Sequence, residues 1–222
     1  ARCADHAGPA QLLGSQPDGA VSPAMTPASS PALLLVDLQN DFLHPDGAYA
    51  RGGTASPELA ALPGRLAPLT ERCRDAGIPI IATLFTVVDV GPGRRRLSPH
   101  LAELRPFLTE GGFASASWGQ AVVDELAPVD LTVEKVAYSA FYASRLEFVL
   151  RRLSVNQLWV AGIVTNGGVA STVRDAHVRD LSTVVISDGC GAFSAEAHEA
   201  ALGSLATVSE MSTISELTDT IR

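Results

Sequence analysis

From Pro31 onward the chain alternates two patterns. Unbroken apolar runs occur as ALLLVDL from Ala32, IPIIATLF from Ile78, LTVEK from Leu131, QLWVAGIV from Gln157 and STVVISD from Ser182, with a weaker run near Val208. Between them, the stretches around Leu62 to Ala76, Trp118 to Leu126, Ser144 to Leu153, Gly168 to Arg179 and Ala195 to Ala206 repeat apolar residues at helical spacing. Strands that are apolar throughout, rather than at every second position, are buried on both faces. Their alternation with helices therefore predicts a three-layer α/β/α sandwich around a mainly parallel sheet. In such sheets ligands bind beyond the carboxyl ends of the strands. That directs attention to Asp37, the segment after Phe85, Lys135, Thr165 to Gly168, and Asp188.

At 222 residues the chain fits one domain with a sizeable core, over 31–222. Residues 1–30 are rich in Ala, Pro, Gly and Ser without periodicity and are expected to form a flexible extension. A net charge of -8 argues against nucleic acid as a partner, because phosphate binding draws on clustered Lys and Arg. A small-molecule substrate is the better expectation. Cys3, Cys73 and Cys190 lack CxxC spacing and are odd in number, which fits a reducing cytoplasm better than a disulfide framework. No apolar run approaches the roughly 20 residues of a membrane span, and no export signal is recognisable near the start. Arg94 to Arg96 sit in a Pro/Gly-rich segment, either a solvated loop or a rim that attracts an anionic substrate.

Lys135 is the one lysine among 16 basic residues. It ends a strand, as Asp37 ends another, and a carboxylate in that position needs a partner. A compact ammonium is suited to the task, although a simple ion pair closing the sheet would place the same two residues. The turn Thr165 to Gly168 should wrap a helix start, whose free amides bind anions and developing oxyanions. The histidines, His6, His44, His100, His177 and His198, are scattered and predict no metal site. Of these His44 lies nearest the candidate site, and its plainest role is in a turn before Pro45.

Five segments in order, VDLQNDF from Val36, HPDGAYARGG from His44, SWGQAVVDELAP from Ser117, KVAYSAF from Lys135 and GIVTNGGVASTVRDA from Gly162, resemble the isochorismatase-like cysteine hydrolases. The resemblance runs from about Pro31 to the C-terminus. It implies the three-layer fold, no cofactor, assembly as a homodimer or higher homo-oligomer and, as in the family's amidase members, an Asp, a Lys and a Cys, with the Cys attacking a carboxamide or similar C–N bond. The Asp corresponds to Asp37, the Lys to Lys135, and the nucleophilic Cys to Gly168. Removing a nucleophile that acts within such a unit costs on the order of a millionfold in rate, about 8 kcal/mol. Cys190 offers no replacement, being expected as a small apolar residue after the next strand, and Cys73 is expected in the core. The family resemblance also implies a cis peptide before Thr165 and an oxyanion site from the amides of Thr165, Asn166, Gly167 and Gly168. Phe42, Phe85, Trp118, Tyr138 and Phe141 are candidates for the pocket wall, with core packing an alternative for at least two of them.

Three readings follow. True isochorismatases also carry Gly for Cys, and their Asp protonates an enol ether. On that pattern Asp37 and Lys135 would run thiol-free acid–base chemistry on a small polar biosynthetic intermediate, although Phe85 stands where those enzymes have Gln. Alternatively, the chain is a cysteine amidase whose nucleophile has been exchanged for Gly168. The third reading is a pseudoenzyme that binds a metabolite without turning it over.

Overall fold

Six strands form one sheet in the order β3-β2-β1-β4-β5-β6, every neighbouring pair parallel, in a computed structural model that describes residues 29–91 and 97–221. They are β1 (Pro31–Val36), β2 (Ile80–Phe85), β3 (Leu131–Lys135), β4 (Gln157–Ile163), β5 (Ser182–Gly191) and β6 (Glu210–Ser212). Single-turn helices α1 (Asn40–Leu43), α2 (Ala48–Arg51) and α3 (Pro57–Ala60) follow β1 and lead into α4 (Leu62–Asp75). The remaining helices are α5 (Pro99–Leu104), α6 (Leu146–Arg152), α7 (Ala170–Val178), α8 (Ala195–Leu205) and α9 (Ile214–Thr220). The candidate extension up to residue 28, Cys3 and the Arg94 to Arg96 run lie outside the described residues.

Alternation along β1 explains the three layers. Leu33 and Leu35 project into a core shared with Leu62, Leu66, Leu69 and Cys73 of α4. Ala32, Leu34 and Val36 project into the opposite core, against residues of α6, α7 and α8. No polar side chain interrupts β1, as burial on both faces requires. The chain winds outward from β1 to β3, then returns to β4 on the other side of β1. That reversal leaves a crevice at the carboxyl ends of β1 and β4. Among the described residues no helix is long and apolar enough to cross a membrane.

Three local expectations need correction. The stretch from Trp118 to Leu126 is not a helix beyond a short 3-10 turn over Asp124–Leu126. Its backbone pairs instead with the segment after β1: Asn40 N–H donates to Ala121 O, Asp41 N–H to Gly119 O, and Val123 N–H to Leu38 O. The helix expected from Gly168 starts instead as a π-helical turn over Thr165–Val169 before α7 begins. Strand β5 runs on through Gly191, past an irregularity in its pairing with β4, so Cys190 lies within the strand and not after it. There burial pushes its thiol up to about 12, and Cys73 in α4 is likewise raised to about 12, so neither is an available nucleophile.

Apolar periodicity does not reveal helix α5, which is short and has no buried residue. Its start is nonetheless encoded: Ser98 caps Leu101 N–H and Pro99 occupies the first turn.

At Gly162, which pairs with Val36 of β1, strand β4 has no room for a side chain. Gly162 has φ +123°, and a Cβ there would stand 2.1 Å from Val36 O. Gly162→Ala should therefore cost about 3 kcal/mol or more in urea unfolding. Gly203, exposed in α8 with no atom within 4 Å of where a Cβ would stand, is the control. Gly203→Ala should gain about 0.5–1 kcal/mol. Equal midpoints for the two variants would contradict this account of the β1–β4 contact.

Candidate active site

Asp37 follows the last residue of β1 and takes a left-handed backbone conformation, φ +56°, that turns the chain off the sheet. The register pairs Val36 with Thr83, and Thr83 serves Asp37 twice. Its hydroxyl donates to Asp37 Oδ1 at 2.8 Å and accepts from Asp37 N–H at 3.2 Å. The other carboxyl oxygen meets Lys135 Nζ at 2.6 Å. Lys135 ends β3, is 2% exposed, and also donates to Ala137 O at 2.9 Å. Its ammonium lies 5.6 Å from the centre of the Phe85 ring. Burial raises the Asp37 carboxyl above the ordinary carboxylate range, outweighing Lys135 and Thr83, which pull the other way. The structure thus brings Asp37 and Lys135 together as a buried pair.

Gly168 lies beside that carboxyl. A Cβ at 168 would stand 3.4 Å from Asp37 Oδ2, 3.3 Å from Val36 Cγ1 and 3.0 Å from Ile163 O. A side chain here would thus begin in contact with Asp37, after a shift of a few tenths of an ångström by its neighbours. With glycine, the same space belongs to a cleft of about 270 Å³ lined by Asp37, Lys135, Gly168, Phe42, Phe85 and Tyr138, among others. Phe42, Phe85 and Tyr138 therefore form part of the wall of this cleft.

Trp118 and Phe141 do not. Trp118 is half exposed and packs edge-on against His44 in a separate cleft, because Asn40 Nδ2 holds its carbonyl at 2.8 Å. His44 thus also stands apart from Asp37, bonded through Nδ1 to Asp46 N–H. Phe141 is buried in the core on the α6–α7 side, with the Arg179 guanidinium 4.7 Å from its ring centre. Asp188 is spent on α9, accepting from Ile214 N–H.

The turn before α7 is also narrower as a binding element than its sequence suggests. Thr165 directs its hydroxyl to His198 Nδ1 at 2.8 Å, Asn166 faces solvent, and neither they nor Gly167 line the cleft. Gly167 N–H and Val169 N–H both donate to Val164 O, so they are not free for an oxyanion. The cis peptide joins Ile163 to Val164, one bond earlier than the resemblance implied, and these two residues line the cleft.

Two positioning residues within VDLQNDF are not among those the sequence singles out. Gln39, fully buried, accepts from Phe85 N–H at 2.8 Å and donates to Phe85 O at 3.1 Å and Gln120 O at 2.8 Å. Asp41 accepts from Ala48 N–H and Phe113 N–H, joining three segments behind the wall. Gly119 is required beside it, since a Cβ there would lie 2.1 Å from Asp41 Oδ2. The available signal is polarity directly after an apolar strand at the sheet's reversal. Tyr49, Phe113 and Phe193 complete the aromatic cluster: Phe42 meets Phe113 at 4.5 Å and Tyr49 at 4.8 Å, and Tyr49 stacks on Phe193.

A family model for the isochorismatase domain matches residues 31–216. Ureidoacrylate amidohydrolase RutB of Methylobacterium radiotolerans is 33% identical over 196 residues, covering 83% of this chain and 76% of the relative. The isochorismatase of Bacillus subtilis is 30% identical over 175 residues, covering 77% of this chain and 51% of that protein. A cysteine hydrolase from Pseudomonas syringae pv. phaseolicola superposes with a TM-score of 0.74 at 25% identity, over 86% of this chain and 92% of that one. With the matched region spanning the whole sheet and every residue of the Asp37 site, the chain belongs to the isochorismatase family of hydrolases.

Proposed function

We propose that this protein is a thiol-free hydrolase in which Asp37 is the general acid, acting on an enol ether or related bond of a small polar biosynthetic intermediate. The observation that carries the reading is the pairing of Gly168, which has no nucleophile, with a buried Asp37 that holds its proton above the ordinary carboxylate range. Asp37 donates that proton to the terminal vinyl carbon, leaving a cation stabilised by the ether oxygen. Water adds to the cationic carbon and returns a proton to Asp37. The hemiketal then breaks its C–O bond to give a carbonyl compound and an alcohol. Lys135, at 2.6 Å, stabilises the carboxylate that exists between the two proton transfers.

A second reading is favoured by a separate observation. A Cβ at residue 168 would stand 3.4 Å from an oxygen of Asp37, so a side chain there would start beside the acid, as a cysteine amidase would require. A similar relative is named for C–N chemistry, a ureidoacrylate amidohydrolase. On this reading the protein is an amidase scaffold without its nucleophile.

One panel of enol ethers and small amides, assayed for product release, separates the two. Thiol-free catalysis predicts turnover of an enol ether by the protein itself. Asp37→Asn should lower that turnover by about 10²–10⁴-fold while the circular dichroism spectrum is retained. Amide hydrolysis that appears only in Gly168→Cys would instead establish the second reading and remove the first.

The pH profile carries a sign. Asp37 is active when protonated, so kcat/KM should be full at low pH and fall as pH rises through a midpoint above 3.8, the ordinary aspartate value. Lys135 pulls that midpoint down, so in Lys135→Met any residual activity should persist to higher pH. A profile that rises with pH would show Asp37 working as a base.

A further inference from the structure

We infer that Arg105, with the Tyr49 hydroxyl, is the specificity-determining anchor of this cleft and binds the carboxylate of a flat, unsaturated acid. The inference rests on the reading above in taking this cleft as the substrate site, and not on how the bond is broken there.

The charges lining the cleft are unevenly distributed. Lys135 is 2% exposed and already donates to Asp37 at 2.6 Å and to Ala137 O at 2.9 Å, so its ammonium is largely engaged within the protein. Arg105, half-buried after α5, has no carboxylate within salt-bridge distance among the described residues. Other arginines of the molecule also lack an acidic partner, but Arg105 is the one that lines this cleft among the described residues. Its Nη1 donates to Leu104 O and its Nε to the Tyr49 hydroxyl, at 3.4 Å. No protein acceptor takes Nη2 among the described residues. The Tyr49 oxygen accepts from Arg105, so its own proton is left to donate. Two donors on neighbouring groups, one of them on a planar cation, suit the two oxygens of a carboxylate. On a chain of net charge -8, an anion also needs such a local cation to be retained.

The wall between the two polar groups sets the shape of the ligand. Lys135 lies over Phe85, the Phe85 ring is 6.2 Å from Phe42, and Phe42 is 4.8 Å from Tyr49, whose hydroxyl reaches Arg105. Arg105 and the Asp37–Lys135 pair are therefore connected along one wall of the cleft by a run of aromatic rings. A ligand anchored by a carboxylate at Arg105 lays a flat apolar middle along the rings and brings its far end to Asp37 and Gly168. Leu101, Leu104 and Leu108 line the same cleft and give the wall beside Arg105 an apolar surface for the body of such a ligand.

The test is calorimetric and requires no turnover, so it is independent of whether Asp37 acts as an acid. Cinnamate and cinnamamide, equal in shape and different in charge, are titrated into the protein, Arg105→Gln and Tyr49→Phe. Cinnamate should bind the unaltered protein about tenfold or more tightly than the amide, the range expected of a charge-assisted contact. Arg105→Gln should bring the two affinities together by weakening cinnamate alone, and Tyr49→Phe should reduce the preference without abolishing it. Cinnamate binding no better than cinnamamide to the unaltered protein, including no binding of either, overturns the inference. So does a preference that survives Arg105→Gln, which would place the carboxylate on Lys135. Should Arg105→Gln fail to fold, the unaltered protein and Tyr49→Phe still decide.

Discussion

Asp37 and Lys135 belong to strands that are not neighbours. β1 and β3 are separated by β2, so their backbones lie about 10 Å apart at two strand spacings. The ion pair at 2.6 Å exists because the lysine side chain reaches back across the end of β2, over the Phe85 ring. This gives a physical reason for one lysine in a chain that otherwise uses arginine. A compact ammonium on a flexible stem can be enclosed by Phe85, Ala137 and Asp37, whereas a planar guanidinium would demand several further acceptors in the same space. Desolvating both charges is costly, and a buried pair contributes little net stability. What it provides is a carboxyl with altered proton affinity at the sheet's reversal. The rest of the site is arranged to keep that carboxyl dry.

VDLQNDF is accordingly one structural unit with its tasks divided. Gln39 clamps Phe85 by both its backbone groups, so the ring beneath the Lys135 ammonium cannot drift. Asn40 holds the Trp118 carbonyl, and Asp41 gathers the amides of Ala48 and Phe113. Each of these side chains is buried, and each is satisfied by hydrogen bonds to backbone from distant parts of the chain. The motif thus joins the aromatic wall to the strand that carries the acid. It also explains why the segment from Trp118 cannot be helical, since its carbonyls are already engaged by residues of this unit.

What the sequence makes legible follows from the range over which each signal acts. Strands buried on both faces announce themselves locally, so β1 to β5 and the three layers are readable, as is the meeting of Asp37 with Lys135, two charges ending apolar runs. Gly168 can be placed because it occupies a fixed position in an ordered motif. Aromatic identity alone does not separate wall from core: Phe42 and Phe141 look alike in sequence, yet one lines the cleft and the other packs beneath α7. The Arg105 side of the cleft is not legible at all. Arg105 and Tyr49 are 56 residues apart and gain meaning only when α5 brings them together, and α5 lacks the buried stripe that reveals a helix. Gly-Gly overstates the free amides of its turn, because hydrogen bonds inside a π-helical turn cannot be inferred from residue type.

Gly168 draws these observations into one problem of selectivity. A thiolate at this position would offer nucleophilic attack beside a buried acid, and the substrate would need only a carbonyl within reach of sulfur. Without it, the chemistry we propose is proton transfer from Asp37, which is slow unless the reacting carbon is held at the carboxyl. A thiol-free site therefore depends more strongly on the remote end of its cleft than a cysteine hydrolase does. Binding energy realised far from the bond must supply the orientation that covalent attack no longer provides. The aromatic wall, fixed by Gln39 and Asp41 and ending in a half-buried cation, is the part of this molecule that can do so. Glycine at residue 168 and the build of the Arg105 side of the cleft are, on this proposal, two sides of a single constraint.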